Sequence, residues 1–230
     1  MREHGILFTI PNVQAILAGR KDVTRRIVDK EAESDILKRR RAYDVHDESS
    51  LVRVNGKLFD AKDPVHAKIL ALWSPYGVPG DQLWVRETWL DLTPAILGGH
   101  YEGPRSFVAY RADRQIIERH DNDHVMTAVD TASLPVTIDW EKLRGWKPPR
   151  YMPHWAARLL LEVVSVRVER LQEITIAEAL REGCGPVEHP KNVNPSPLDV
   201  FHELWDEING ETAPWDCNPL VWRIEFRRLP

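Results

Sequence analysis

The chain has 230 residues, of which 43% are hydrophobic and 29% are charged, and its formal net charge is −4. This composition is typical of a globular protein and excludes a disordered chain or a polycation, so any nucleic-acid surface must be a local basic patch. Two cysteines cannot form a disulfide framework, and no apolar run approaches the length of a membrane span, so we expect a cytoplasmic protein with no signal peptide and no membrane contact.

The N-terminal segment predicts a strand, a short helix and a basic loop. Gly5 to Ile10 (GILFTI) is rich in β-formers and ends before Pro11. In the following NVQAILAGRK, Asn12 is the expected N-cap, and Gly19 stands where a C′ glycine ends a helix. The run from Lys21 to Arg26 is therefore expected in a loop just beyond that helix.

The middle of the chain alternates weak and strong patterns. Residues 28–70 and 116–142 are polar or mixed in charge, and we interpret both as insertions. After the turn PYGVPGD, the segment LWVRETW alternates like a half-buried strand and places Glu87 on its apolar side, which indicates a carboxylate facing a site. The segment SFVAY predicts another short strand.

The C-terminal third carries the strongest patterns. Valines at 164, 166 and 168 alternate with polar residues and predict a strand within residues 155–171. Thr175 and Glu178 form a capping box at the start of ITIAEALREG, and PLDVFHELWDEING predicts a second helix. LVWRIEF predicts a closing strand. This order favours a single α+β domain, a mixed barrel or sheet with helices at its ends, although a two-domain split stays open.

Four pieces in this order resemble the ASCH family of the PUA-like superfamily, especially its longer phage and prophage members. They are AGRKDVTRR, PGDQLWVRETW, LEVVSVRVERLQEITIAEALREG and VWRIEF. The resemblance implies a PUA-like mixed β-barrel with flanking helices, spanning residues 1–230 as one domain with insertions at 28–70 and 116–142. It also implies a link to RNA or modified-nucleoside chemistry.

One bacterial enzyme of this superfamily removes the acetyl group from N4-acetylcytidine, and its catalytic residues map onto this chain. Its GRK-x-x-T segment matches Lys21 and Thr24 here, and its glutamate matches Glu182, with Glu178 as a competitor. Amide hydrolysis needs a nucleophile, a base and an oxyanion stabiliser. A lysine whose pKa is lowered by burial or by nearby cations could take the proton of a threonine hydroxyl.

The expected ligand is a modified nucleoside, a nucleotide or single-stranded RNA, with no cofactor, no metal and no indication of oligomeric state. Arginines hold anionic groups well, and aromatic faces stack on bases. The predicted ligand-binding residues are Arg20, Arg25, Arg26, Arg86, Glu87 and Trp89. Among the nine tryptophans, one or two are expected to form a stacking wall. The alternatives are a non-catalytic RNA- or DNA-binding module and a ribonuclease.

Weaker candidates have plainer interpretations. His120 and His124 have the spacing of a helical metal site but no third ligand. Cys184 is interpreted as a buried thiol in preference to a nucleophile. His154 is equally compatible with a ligand contact and with a structural role.

Overall fold

The structure is a computed structural model that describes residues 1–28, 51–54, 57–60, 74–98, 105–120, 125–185 and 195–230. For residues 51–54 and 57–60 the backbone alone is described. Most of the predicted insertion at 28–70 therefore lies outside the described residues.

Strands and helices alternate irregularly along the described ranges, which confirms the α+β class. The strands are β1 (Glu3–Leu7), β2 (Val23–Ile27), β3 (Leu51–Val54), β4 (Lys57–Asp60), β5 (Gln82–Arg86), β6 (Trp89–Asp91), β7 (Arg105–Tyr110), β8 (Gln115–His120), β9 (Val125–Ala128), β10 (Leu160–Arg170) and β11 (Leu220–Arg228). The helices are α1 (Ile10–Leu17), α2 (Thr93–Leu97), α3 (Ile176–Arg181) and α4 (Pro197–Asn209). None of these helices is long and apolar enough to cross a membrane.

The strands form two main sheets and a hairpin. The larger sheet has the order β1-β5-β10-β11-β2, and the smaller has the order β6-β7-β8-β9, while β3 and β4 pair with each other. Within the described ranges the larger sheet has an open order, so a closed barrel is not seen there. Strand β11 pairs antiparallel with β10 on one side and with β2 on the other.

The chain divides into two compact units. Unit 1 comprises Met1–His4, Ala18–Leu83 and Leu161–Pro230, and unit 2 comprises Gly5–Leu17 and Trp84–Leu160. Because compactness alone does not decide whether a unit folds independently, the single-domain prediction stays a prediction.

Each unit has its own apolar cluster. In unit 1, α3, α4 and β11 bury Ala179, Phe201, Trp205 and Val221 together. Helix α4 begins with a capping box at Ser196, and the Trp205 indole donates a hydrogen bond to the Ala213 carbonyl at 2.8 Å. Buried polar groups with partners of this kind fix how the helix sits on the sheet. In unit 2 the clusters are built from β6, β7 and β8.

The N-terminal predictions needed three corrections. The strand predicted from Gly5 to Ile10 is β1 at Glu3–Leu7, so it ends before Ile10. Helix α1 begins at Ile10, with Pro11 in its first turn and Asn12 inside it, so Asn12 is not the N-cap. The helix ends at Leu17, and Gly19 has φ = 68°, as the C′ prediction required. The predicted loop at Lys21 to Arg26 is mostly strand β2, because Val23, Thr24 and Ile27 favour extended backbone.

A register shift in β10 corrects the predicted valine alternation. Val166 and Val168 are buried, but Val164 is 45% exposed because the pairing with β11 slips between Val163 and Ser165. One extra residue in a strand reverses the side on which earlier side chains lie.

The segment 116–142 is also more regular than predicted. It includes most of β8 and all of β9, and β8 pairs with both β7 and β9. Ile116 and Ile117 are buried in this sheet. The first half of this segment, where the structure describes it, is therefore regular sheet with buried apolar side chains, whereas the prediction that 116–142 is an insertion stays a prediction.

Candidate functional site

The site in unit 1 is built on β2 and the end of α3. Strand β2 pairs with β11 so that Arg25 lies opposite Arg223 and Thr24 lies opposite Ile224. Just before β2, Lys21 forms an isolated antiparallel bridge with Glu182, the residue that caps the end of α3. This bridge brings together residues 161 positions apart in the chain.

Lys21 and Glu182 form a buried ion pair. The Nζ of Lys21 lies 2.5 Å from Oε2 of Glu182 and donates a second hydrogen bond to its backbone carbonyl at 2.8 Å. The side chains are 2% and 4% exposed. Burial lowers the pKa of Lys21, the Glu182 carboxylate opposes this shift, and Arg26 adds to it. A lysine in such a setting is suited to act as a base.

Arg25 holds three carboxylates inside unit 1. Its side chain is fully buried and contacts Glu169, Glu178 and Glu182 at 2.6, 2.9 and 3.1 Å. A guanidinium presents its five donors in a rigid fork, so these contacts fix the orientation of the Glu182 carboxylate. Arg25 was predicted to bind ligand, and in the structure its guanidinium contacts these three carboxylates.

Two further arginines contact Glu178, one of the carboxylates that Arg25 binds. Arg167 and Arg223 both contact Oε1 of Glu178, at 2.9 and 2.8 Å. Burial tends to raise the pKa of Glu178, but the charge of Arg25 and further partners outweigh it and lower the pKa. Glu178 is therefore held as an anion among arginines, whereas Glu182 is the glutamate that contacts Lys21. The sequence left Glu178 and Glu182 as alternatives, and in the structure they differ in their partners, because Lys21 contacts Glu182 while arginines contact Glu178.

Strand β2 also carries Thr24, which is buried, and Arg26, which is half-buried. Thr24 is 4% exposed, and alternation along the strand places it on the same face as Arg26, opposite the face of Arg25. Burial lowers the pKa of Arg26, while Tyr76 and Glu182 oppose that shift. Burial likewise raises the pKa of Tyr76, which Arg26 counteracts. Tyr76 was not predicted from the sequence, although its turn PYGVPGD was.

Two other candidate residues, Cys184 and Arg20, also lie in unit 1. Cys184 is 2% exposed, and burial raises the pKa of its thiol to about 11, so it stays protonated near neutral pH. This agrees with the interpretation of a buried thiol. Arg20 lies in the turn between α1 and β2 and is exposed.

The remaining predicted residues lie in unit 2. Glu87 is 1% exposed, as its strand pattern predicted, but its partner is Arg158 at 2.9 Å and not its neighbour Arg86. Arg158 also contacts Asp113 at 2.7 Å and lies over the Tyr110 ring at 4.0 Å. Burial raises the pKa of Glu87, and Arg158 opposes that shift. This arrangement is a buried structural network.

Three other residues that the sequence analysis named as candidates, Arg86, Trp89 and His154, also lie in unit 2. Trp89 is only 3% exposed, so its ring is part of the core and offers little surface to a ligand. Arg86 lies over the ring of Trp84 and donates a hydrogen bond to the Arg150 carbonyl. His154 packs edge-on against the same Trp84 ring at 5.1 Å.

No metal centre emerges in the described ranges, where no group of three or more His, Cys, Asp or Glu side chains is arranged to hold an ion. His120 contacts Glu118 at 3.0 Å, and His124 lies outside the described residues.

Fold and site together define an α+β protein with a lysine–glutamate pair buried beside an arginine-rich charge network. No family model, curated protein or solved structure matches the chain.

Proposed function

We propose that the Lys21–Glu182 site binds a modified nucleoside, a nucleotide or a single-stranded RNA segment in the cytoplasm, and that it hydrolyses an amide on the base. The observation that carries this proposal is the 2.5 Å contact between Lys21 and Glu182, because two residues assigned to catalysis from separate motifs meet in a buried setting.

We also propose that the domain is a PUA-like barrel of the ASCH type. The support is that the four matching sequence pieces carry β5, β10, β11 and β2, which are consecutive neighbours in the larger sheet. Motifs that are far apart in the chain thus meet in one layer.

The hydrogen bonds of Lys21 suit it to the role of base. A neutral lysine has two N–H donors and one lone pair, and the two donors match the two Glu182 oxygens that Nζ contacts. In this neutral form the lone pair of Nζ is the group that can take up a proton. In this proposal it accepts the proton of the Thr24 hydroxyl.

The proposed reaction is acyl transfer followed by hydrolysis. The Thr24 oxygen attacks the acyl carbon of an N4-acylated cytidine, and Arg26 stabilises the oxyanion of the tetrahedral intermediate. The C–N bond then breaks, Lys21 returns the proton to the departing N4 amine, and cytidine leaves. Water hydrolyses the acyl ester on Thr24, which releases the carboxylic acid and restores the hydroxyl.

Incubation with N4-acetylcytidine and chromatography of the products test this reaction. We expect Lys21→Met, Thr24→Val and Glu182→Gln each to reduce kcat/KM by at least about 100-fold. Exposed Arg228→Gln is the control and should retain turnover. Absence of turnover on any N4-acylated cytidine, or undiminished turnover in Lys21→Met, would falsify the catalytic proposal.

A second candidate is a single-strand binding module without chemistry, and a surface of unit 2 favours it. Cations lie over aromatic rings in the pairs Arg150–Tyr151 and Arg119–Trp155. Tyr151 is 64% exposed and Trp155 is 36% exposed. Alternating cations and aromatic faces are typical of surfaces that bind single strands.

Fluorescence anisotropy with labelled oligonucleotides tests the second candidate. We expect affinity to fall as salt rises and to drop about tenfold in Trp155→Leu. Intact oligonucleotide after incubation distinguishes binding from ribonuclease activity. Affinity that does not change with salt argues against a phosphate-binding surface.

A further inference from the structure

Unit 2 contains a cavity of about 690 Å³ whose lining combines flat aromatic surface with arginines. This volume lies within the range of small-molecule pockets. Helix α1 contributes Gln14, the turn between β7 and β8 contributes Arg111 and Arg114, and the segment between β9 and β10 contributes Trp140, Arg144 and Trp146.

The aromatic part of the lining is a stacked pair of indoles. The ring centroids of Trp140 and Trp146 are 6.3 Å apart, with 18° between the ring planes. Both side chains pack against the apolar cluster of unit 2 and are only partly buried, so their remaining surface faces the cavity. Packing of this kind holds the rings in place before a ligand arrives, which lowers the entropic cost of binding.

Three arginines line the cavity, and two of them, Arg111 and Arg144, form no ion pair with a carboxylate among the described residues. The guanidinium of Arg111 lies over the Trp146 ring at 5.7 Å. Arg144 donates from Nη1 to the carbonyls of Glu141 and Leu143, at 2.7 and 3.3 Å, and within the described chain its Nε and Nη2 make no hydrogen bond. Both arginines therefore keep donors for an anion.

The carboxylates of the cavity already have partners. Glu141 contacts Arg114 at 2.7 Å, and Asp113 contacts Arg158 at 2.7 and 2.9 Å. These pairs reduce the repulsion that an anionic ligand meets. Gln14 donates to the Ala112 carbonyl at 2.6 Å, which fixes its amide and leaves its oxygen as an acceptor at the cavity wall.

We propose that this cavity binds a nucleoside 5′-phosphate unit, with the base on the Trp140–Trp146 pair and the phosphate on Arg111 and Arg144. A planar ring is the ligand that flat indole surface favours, and phosphate is the anion that arginine forks favour. The same unit can come from a free nucleotide or from a single strand. The proposal rests on unit 2 alone and is independent of the Lys21–Glu182 chemistry.

The test follows the indole Nε1–H resonances of ¹⁵N-labelled protein during titration with CMP, AMP, a trinucleotide and inorganic phosphate. Single Trp140→Phe and Trp146→Phe variants assign the two resonances. We expect both resonances to shift saturably with the nucleotides, and to shift differently or not at all with inorganic phosphate. Affinity should fall about tenfold or more in Trp140→Leu and in Arg144→Gln.

Controls separate this cavity from the other surfaces. The exposed variant Arg228→Gln, at a residue of unit 1, should keep the affinity seen at the two indoles. Tighter binding of the trinucleotide assigns the cavity to single strands, and equal affinity assigns it to free nucleotides. The proposal fails if neither indole shifts at millimolar nucleotide, if phosphate alone reproduces the shifts, or if Arg144→Gln binds like the wild type. Arg144 is exposed, so its variant avoids the folding defect that a tryptophan change risks.

Discussion

Lys21 and Glu182 lie side by side with 2.5 Å between Nζ and Oε2, and neither side chain is more than 4% exposed. Two charges buried this deeply depend on each other, because removing one leaves the other without compensation in a low-dielectric interior. The pair is thus a condition for the local fold as well as the centre of the proposed chemistry.

We expect Lys21→Met to lower the free energy of unfolding by about 3 kcal/mol, since it leaves part of the Glu182 charge uncompensated. The double variant Lys21→Met/Glu182→Met should lose less than the sum of its two single variants, by at least about 1 kcal/mol. Urea denaturation of the four proteins measures this coupling. Additive single effects would show that the two side chains do not stabilise each other.

The pKa of Lys21 should respond to its two charged neighbours in opposite directions. Arg26 lowers this pKa, so Arg26→Gln should raise it, and Glu182 raises it, so Glu182→Gln should lower it further. A base acts in its neutral form, and the rising limb of the pH–rate profile should therefore move to higher pH in Arg26→Gln. NMR titration of the Lys21 side chain follows the pKa directly, with Arg20→Gln as the control. Shifts of the same sign in both variants would contradict this assignment.

Arg25→Lys should destabilise unit 1 although the charge is kept. A lysine cannot reproduce the fork that reaches Glu169, Glu178 and Glu182 together, and we expect a loss of about 3 kcal/mol or more. Arg20→Lys, at an exposed position of the same segment, should change stability by less than about 0.5 kcal/mol. Thermal or urea unfolding of the two variants makes the comparison. Equal stabilities would mean that the three carboxylates need only a positive charge.

Glu87 should make stability depend on pH. Burial raises its pKa in the folded state above the ordinary value of 4.5. Its contribution is therefore full below about pH 4.5 and is lost as pH rises through the folded pKa. The stability of Glu87→Gln relative to the wild type should accordingly increase as pH rises from 4 to 7. Urea unfolding at several pH values tests this, and a relative stability that falls with pH would refute it.

Local sequence patterns predicted the structure correctly where it depends on residues that are neighbours in the chain. The capping box at Thr175 and Glu178, the glycine after α1 and the alternation that buries Glu87 all follow from spacings of a few residues. Strands β7 and β11 were predicted for the same reason. The bulge in β10 was not, because it depends on the register of a partner strand about 60 residues away.

The segment around Arg25 shows why burial of charge is hard to predict. Five of the eight residues in GRKDVTRR are charged, which favours a solvated loop. Its burial depends on carboxylates from β10 and α3, more than 140 positions away. Two signals did point to a strand, namely Val23-Thr24 and Ile27, but the segment was assigned to a loop because it follows the glycine that ends α1. The role of Arg158 as partner of Glu87 had no local signal at all.

The pairing of β2 with β11 has a consequence for synthesis of the protein. Strand β2 ends at Ile27, and its partner begins only at Leu220. At about 5–20 residues per second, the ribosome needs roughly 10–40 s to make the chain that separates them. Throughout that interval the segment with Lys21 lacks its neighbouring strand, and for most of it Glu182 has not been made either. The nascent chain therefore leaves the ribosome without an assembled Lys21 site, and the site forms only when the last strand has been made.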